Sequence, residues 1–117
     1  MVKGFILLKK LFYMLFVISI TFTSLNAAAY KGQALFQKMC LDCHGKALEF
    51  VIAKDTPEWT KLMEDKGSPL LLIHVKSSEA EESWKYFKGK RFPKHVRHYK
   101  DFFLEYAADT GNIPACD

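Results

Sequence analysis

Gly32-Gln33-Ala34-Leu35-Phe36-Gln37-Lys38-Met39-Cys40-Leu41-Asp42-Cys43-His44-Gly45 is the stretch whose reading decides how this chain folds. Gly32, Leu35, Phe36, Met39, Cys40 and Cys43 recur in it at the three- and four-residue steps of one helical face, so the spacing predicts a short amphipathic helix. On such a helix the two thiols stand about one turn apart. The imidazole of His44 follows the second thiol directly.

Cys40, Cys43 and His44 spell C-x-x-C-H, which in an exported chain reads as the attachment site of a c-type haem. Two thiols at this spacing can add to the two vinyl groups on one porphyrin edge, while the adjacent imidazole binds iron from the proximal side. Other uses of the pair stay open on the residues alone. Disulfide exchange goes with a thioredoxin-like strand before the motif, whereas the residues before Cys40 have helical spacing. Zinc asks for a fourth ligand and usually a second close pair, and only the isolated Cys116 is left. A structural disulfide here would close a very short loop and constrain little.

Export is read from residues 1–29, which hold Lys3, Lys9 and Lys10 without an acid and are apolar at 20 of 29 positions. An apolar stretch from Leu11 to Ile20 precedes a more polar Thr21 to Asn26 and then Ala27-Ala28-Ala29, the small-x-small pattern of a cleavage site. The expectation is a signal peptide over 1–29, cut after Ala29, with the mature chain in the periplasm. An uncleaved anchor is the competing reading, since no charge falls between Leu11 and Tyr30 and a spanning helix needs about 20 apolar residues. The polar second half and the alanines speak against it. No cysteine near the apolar stretch offers a lipid anchor.

Residues 30–117 then form one domain of 88 residues, with 14 lysines and arginines against 13 acids. That balance points away from nucleic acid, and the length rules out multidomain machinery. A chain this short buries only about 60% of its unfolded surface, so it often completes its core with a bound group.

From Gly32 to Gly45 the chain resembles the opening helix of the small monohaem c-type cytochromes of class I. The resemblance implies an all-α, cytochrome c-like globule around one covalently bound haem c. Cys40 and Cys43 would be its thioether positions and His44 its proximal iron ligand. It further implies that a glycine and an aromatic of the first helix pack on an aromatic-bearing C-terminal helix. Val96, Tyr99, Phe103 and Tyr106 offer that stripe, with Phe102 beside it and Gly111 as a helix stop. The likeness covers the two ends of the mature chain, and the middle is unlike the family.

In the middle, Thr56-Pro57-Glu58 reads as a cap, a proline in the first turn and an acid, opening a helix with Trp59, Leu62 and Met63 that stops at Gly67. Ser68-Pro69 restarts the chain. Leu70 to Val75 fits a helix or a strand, and Ser78-Glu79-Ala80-Glu81 reads as a capping box for a helix bearing Trp84 and Phe87.

The iron's distal side departs from the family. A methionine is usual in the loop before the last helix, but Lys90 to His98 contains phenylalanine there and no methionine. His95 in that segment is the preferred distal ligand, with His98 and Met63 as alternatives, and His74 or an open site behind them. Met39 adjoins Cys40 and belongs to the proximal side. Met63 also suits core packing beside Trp59 and Leu62, and His74 a satisfied core position. Gly67-Ser68-Pro69-Leu70 resembles the segment whose proline carbonyl orients the proximal imidazole in the family, though Pro69 serves equally as a helix start.

Lys85, Lys88, Lys90, Arg91, Lys94, Arg97 and Lys100 run without an intervening acid. They form a solvated face or, beside a haem edge, steer acidic redox partners or membrane-bound respiratory complexes. The reading is a periplasmic one-electron carrier, not an enzyme, with one haem c and its iron. A haem-bearing subunit of a periplasmic oxidoreductase complex, or a ligand-binding haem protein with an open distal site, is the alternative. A thiol-redox protein follows only without haem.

Overall fold

The computed structural model describes residues 2–19 and 24–116, and side chains within 2–16 and 27–116. Ile20 to Thr23, where the expected export segment turns polar, lie outside the described residues. Every described regular element is helical, which makes Leu70 to Val75 helix rather than strand. An apolar run with helical neighbours and no partner strand satisfies its backbone only within itself.

Helix α1 (Val2–Ser19) exposes the apolar side chains described on it, Phe5, Leu8, Leu11 and Phe12 among them. Among the described residues no helix is long and apolar enough to cross a membrane. Helix α2 (Ser24–Met39) runs through Ala27-Ala28-Ala29, the strongest helix formers available. Ala29, before the expected cut, is buried.

The frame is the crossing of α2 with the last helix, α8 (Arg91–Glu105). At Gly32 a Cβ would collide with the carbonyl oxygen of His98 and with Cβ of Phe102, so only glycine lets the two backbones approach. One turn on, Phe36 is fully buried with its ring 5.8 Å from Phe102. Along α8, Val96, Tyr99 and Phe103 are buried, as their spacing predicts, and Tyr106 is half-buried at the cap.

Two details of α8 correct the sequence reading. The segment from Arg91 to His98 is helix, not a loop, because Pro93 falls in the first turn, where its missing N–H has no intrahelical partner to lose. The helix also ends at Glu105 rather than at Gly111, which sits further on in a left-handed turn (φ 71°). Beyond it the chain folds back: Ala108 N–H donates to the Lys54 carbonyl, and Asp109 accepts from Thr56 N–H and Oγ1 at 2.7 and 2.8 Å.

Short helices fill the space between. Helix α3 (Leu41–His44) continues α2 after a turn at Cys40, and α4 (Ala47–Val51) follows Gly45. Helix α5 (Thr56–Leu62) is capped by Asp55, whose Oδ1 accepts from Glu58 N–H at 3.0 Å; Thr56, the expected cap, turns to Asp109 instead. Asp55 wins because it stands in extended conformation one residue earlier. The chain then passes through three left-handed residues, Asp65, Lys66 and Gly67, at the start of α6 (Glu64–Val75). Gly67 is buried there against Phe92 and Val96, so the expected break is real, although α5 itself stops sooner. A 3-10 turn (Ser78–Ala80) leads into α7 (Glu81–Phe87). The expected capping box is not made: Ser78 is taken into the 3-10 turn, and no side chain caps α7.

Aromatic rings weld these pieces together. Phe50 lies 4.7 Å from Phe36 and 5.1 Å from Trp59, and Trp59 lies 4.6 Å from Phe103. The indole N–H of Trp59 is satisfied at the Val51 carbonyl, 2.8 Å away. Each such ring, taken from water, contributes roughly 2–3 kcal/mol. Met63 belongs to this core at 3% exposure.

Candidate cofactor site

Side chains from α2 to α8 border a partly open cavity of about 460 Å³, lined mainly by apolar side chains including Phe50, Trp59, Leu70, Ile73, Phe87 and Phe103. Cys40, Cys43 and His44 stand on its wall, brought there because α2 carries on into α3 with one turn between the thiols. His44 N–H donates to the Cys40 carbonyl at 3.0 Å, holding the motif as a helical turn.

The two thiols differ. Cys43 is exposed, whereas Cys40 is half-buried, and burial pushes its thiol up to about 11 despite a hydrogen bond with Tyr99. All three cysteines are free. Behind Cys40 the hydroxyls of Tyr99 and Tyr86 lie 2.6 Å apart, and Tyr86 Oη also pairs with His95 Nδ1 at 2.8 Å. Burial raises both phenols, Tyr86 to about 12, so the network is neutral at physiological pH.

His44 packs edge-on against Phe50, with ring centroids 5.0 Å apart. Burial, then repulsion from His74, holds its imidazole below the ordinary value, which favours the neutral form that binds metal. Pro69 sits at the helical restart after the left-handed turn, and the Leu70 carbonyl pairs with His74 Nδ1 at 2.8 Å.

Of the residues weighed for the far side of the iron, the structure brings His74 to the cavity and leaves His95, His98 and Met63 outside its lining. His95 is helical rather than on a loop, and it stands behind Tyr86. Burial and then Arg91 lower its affinity for a proton. His98 lies one turn on, near Lys31, Arg97 and Asp101. Met63 is enclosed in the core. Met39 does line the cavity, on the attachment side. Sequence reasoning missed Phe50, Tyr86 and Tyr99 as wall residues. The i, i+4 pair Leu70/His74 was the available signal that one turn of α6 presents an imidazole beside apolar neighbours.

Comparison of the chain with protein-family models, with curated proteins and with solved structures gives no match. Chemistry therefore carries the assignment. Among the described residues no group of three or more His, Cys, Asp or Glu is placed to hold a metal ion unaided. A flat, largely apolar macrocycle that brings its own four nitrogen ligands fits the residues present: an apolar cavity with two thiols and an imidazole on its wall.

Proposed function

We propose that this protein is a c-type cytochrome of the exported compartment, a one-electron carrier with one covalently attached haem. The observation that carries the reading is the coincidence of Cys40, Cys43 and His44 with the wall of an apolar cavity of about 460 Å³, within the usual range for cofactor sites. Cys40 and Cys43 would hold the group as thioethers and His44 would bind its iron. The haem supplies a reversible ferric/ferrous couple. The chain would supply attachment, a largely apolar surround that tunes the potential, and contacts of the imidazole with Phe50 and His74.

Gly32 and Phe36 against Phe102 support the same reading, since the family resemblance implies this contact between first and last helices. A thiol-redox role is disfavoured by Cys40, whose buried thiol leaves little thiolate at neutral pH. The basic side chains from Lys85 to Lys100 are exposed on α7 and α8 and suit an acidic electron partner. Transfer to such a partner should slow as salt rises from low to physiological strength.

The test is expression in the periplasm of cells equipped for c-type maturation. Haem staining that survives a denaturing gel, together with a reversible one-electron wave in voltammetry, is the expected result. A chain that matures without attached haem would overturn the proposal.

A further inference from the structure

Resting on the haem reading, we propose that His74 is the second axial ligand, giving the iron two imidazoles, one from α3 and one from α6. Three observations on His74 converge.

First, His74 and His44 line the same cavity with ring centroids 5.8 Å apart and planes at 69°. Two imidazoles sharing one metal through bonds of about 2 Å each stand about 6 Å apart centre to centre, and their planes are free to rotate about the common axis. At 5.8 Å the pair stands slightly short of the separation that one shared iron needs. Among the described residues, His74 is the only imidazole on the cavity wall besides His44.

Second, the ring is held in a ligand's tautomer. Nδ1 pairs with the Leu70 carbonyl at 2.8 Å, so Nδ1 carries the proton and Nε2 keeps its lone pair. A metal-binding histidine commonly donates its other ring N–H in this way, which fixes the ring and raises its basicity.

Third, the surround fixes the ring in space. Phe87 stacks on it at 4.1 Å and 25°. Trp84 Nε1–H donates to the His74 carbonyl at 2.8 Å and to the Ser77 carbonyl at 3.1 Å, closing the end of α6. His95 is also hydrogen-bonded at Nδ1, to Tyr86 Oη, and packs on Tyr86 and Tyr99, but it does not line the cavity.

The experiment uses the matured haem protein. Wild type should be low-spin in both oxidation states, with an electron paramagnetic resonance signature of two imidazoles, and its ferrous form should bind carbon monoxide slowly. His74→Gly should become high-spin and bind carbon monoxide at least 100-fold faster, and added imidazole should restore the low-spin spectrum. His74→Met, which keeps a ligand and much of the volume, should raise the reduction potential. His95→Ala should leave the axial signature unchanged. Haem attached with a spectrum indifferent to His74→Gly and His74→Met would overturn the ligand assignment alone. Wild type without attached haem would overturn both this assignment and the carrier reading beneath it.

Discussion

The crossing of α2 and α8 and the wall made by α6 and α7 are opposite kinds of surface. At the crossing there is no space: a single Cβ on Gly32 meets the backbone of α8. At the wall there is about 460 Å³ of space, bounded by rings that pack on one another, with His74 reaching His44 at a ring separation of 5.8 Å. The first region is complete as protein. The second is a partly open cavity, which on the proposed reading the haem would fill, and close packing is what makes a core stable.

Substitutions can break that comparison from either side. The largest expected effect is on the guest: Cys40→Ala combined with Cys43→Ala should abolish covalent haem, read as complete loss of haem stain on a denaturing gel. Next is the frame. Gly32→Val should destabilise the fold by roughly 3 kcal/mol or more, because two backbones must separate, and this should appear as a lower Tm with or without haem.

Smaller effects should follow at the wall. Phe87→Leu keeps most of the volume and should cost about 1 kcal/mol, while loosening His74 enough to broaden the low-spin spectrum. A Tm that drops as far as in Gly32→Val would mean that the wall, too, is close-packed. In the haem-free chain, mass spectrometry after brief alkylation at pH 8 should find Cys43 labelled well before Cys40, since burial pushes the Cys40 thiol up to about 11. Equal labelling would show that the wall around Cys40 is open to water.

The smallest effect belongs to a surface contact outside both regions. Hydrogen bonds from Thr56, the hydroxyl first, hold the Asp109 carboxyl below its usual value. A carboxylate depressed in the folded state stabilises it above the unfolded value, near 3.9, and loses that contribution as pH falls through the folded one. Asp109→Asn should therefore lower Tm slightly at pH 7, with a difference that shrinks as pH falls from the unfolded value through the lowered folded one. A constant difference across that range would assign the effect to something other than charge.

How much was legible follows from how local each signal is. The helix that delivers Cys40 and Cys43, the aromatic stripe of α8 and the break at Gly67 are written in spacing and punctuation, which need only near neighbours. Asp55 as cap, Ser78 in a 3-10 turn and the helical start around Pro93 were misread, each by one to a few residues. At such ends several polar side chains compete for the same orphan N–H groups, and tertiary packing chooses between them.

His74 and His95 mark the boundary between the two kinds of information. By itself the sequence determined the pieces: an all-helical domain and a thiol pair with an adjacent imidazole, to which the family resemblance added a glycine where two helices cross. Only tertiary structure decided which distant imidazole faces His44. Spacing along the chain placed His95 in a favoured segment, yet α8 turns it toward Tyr86, and α6 carries His74 into the cavity. A helix's own period says which residues share a face, and only its packing against other helices says what that face looks upon.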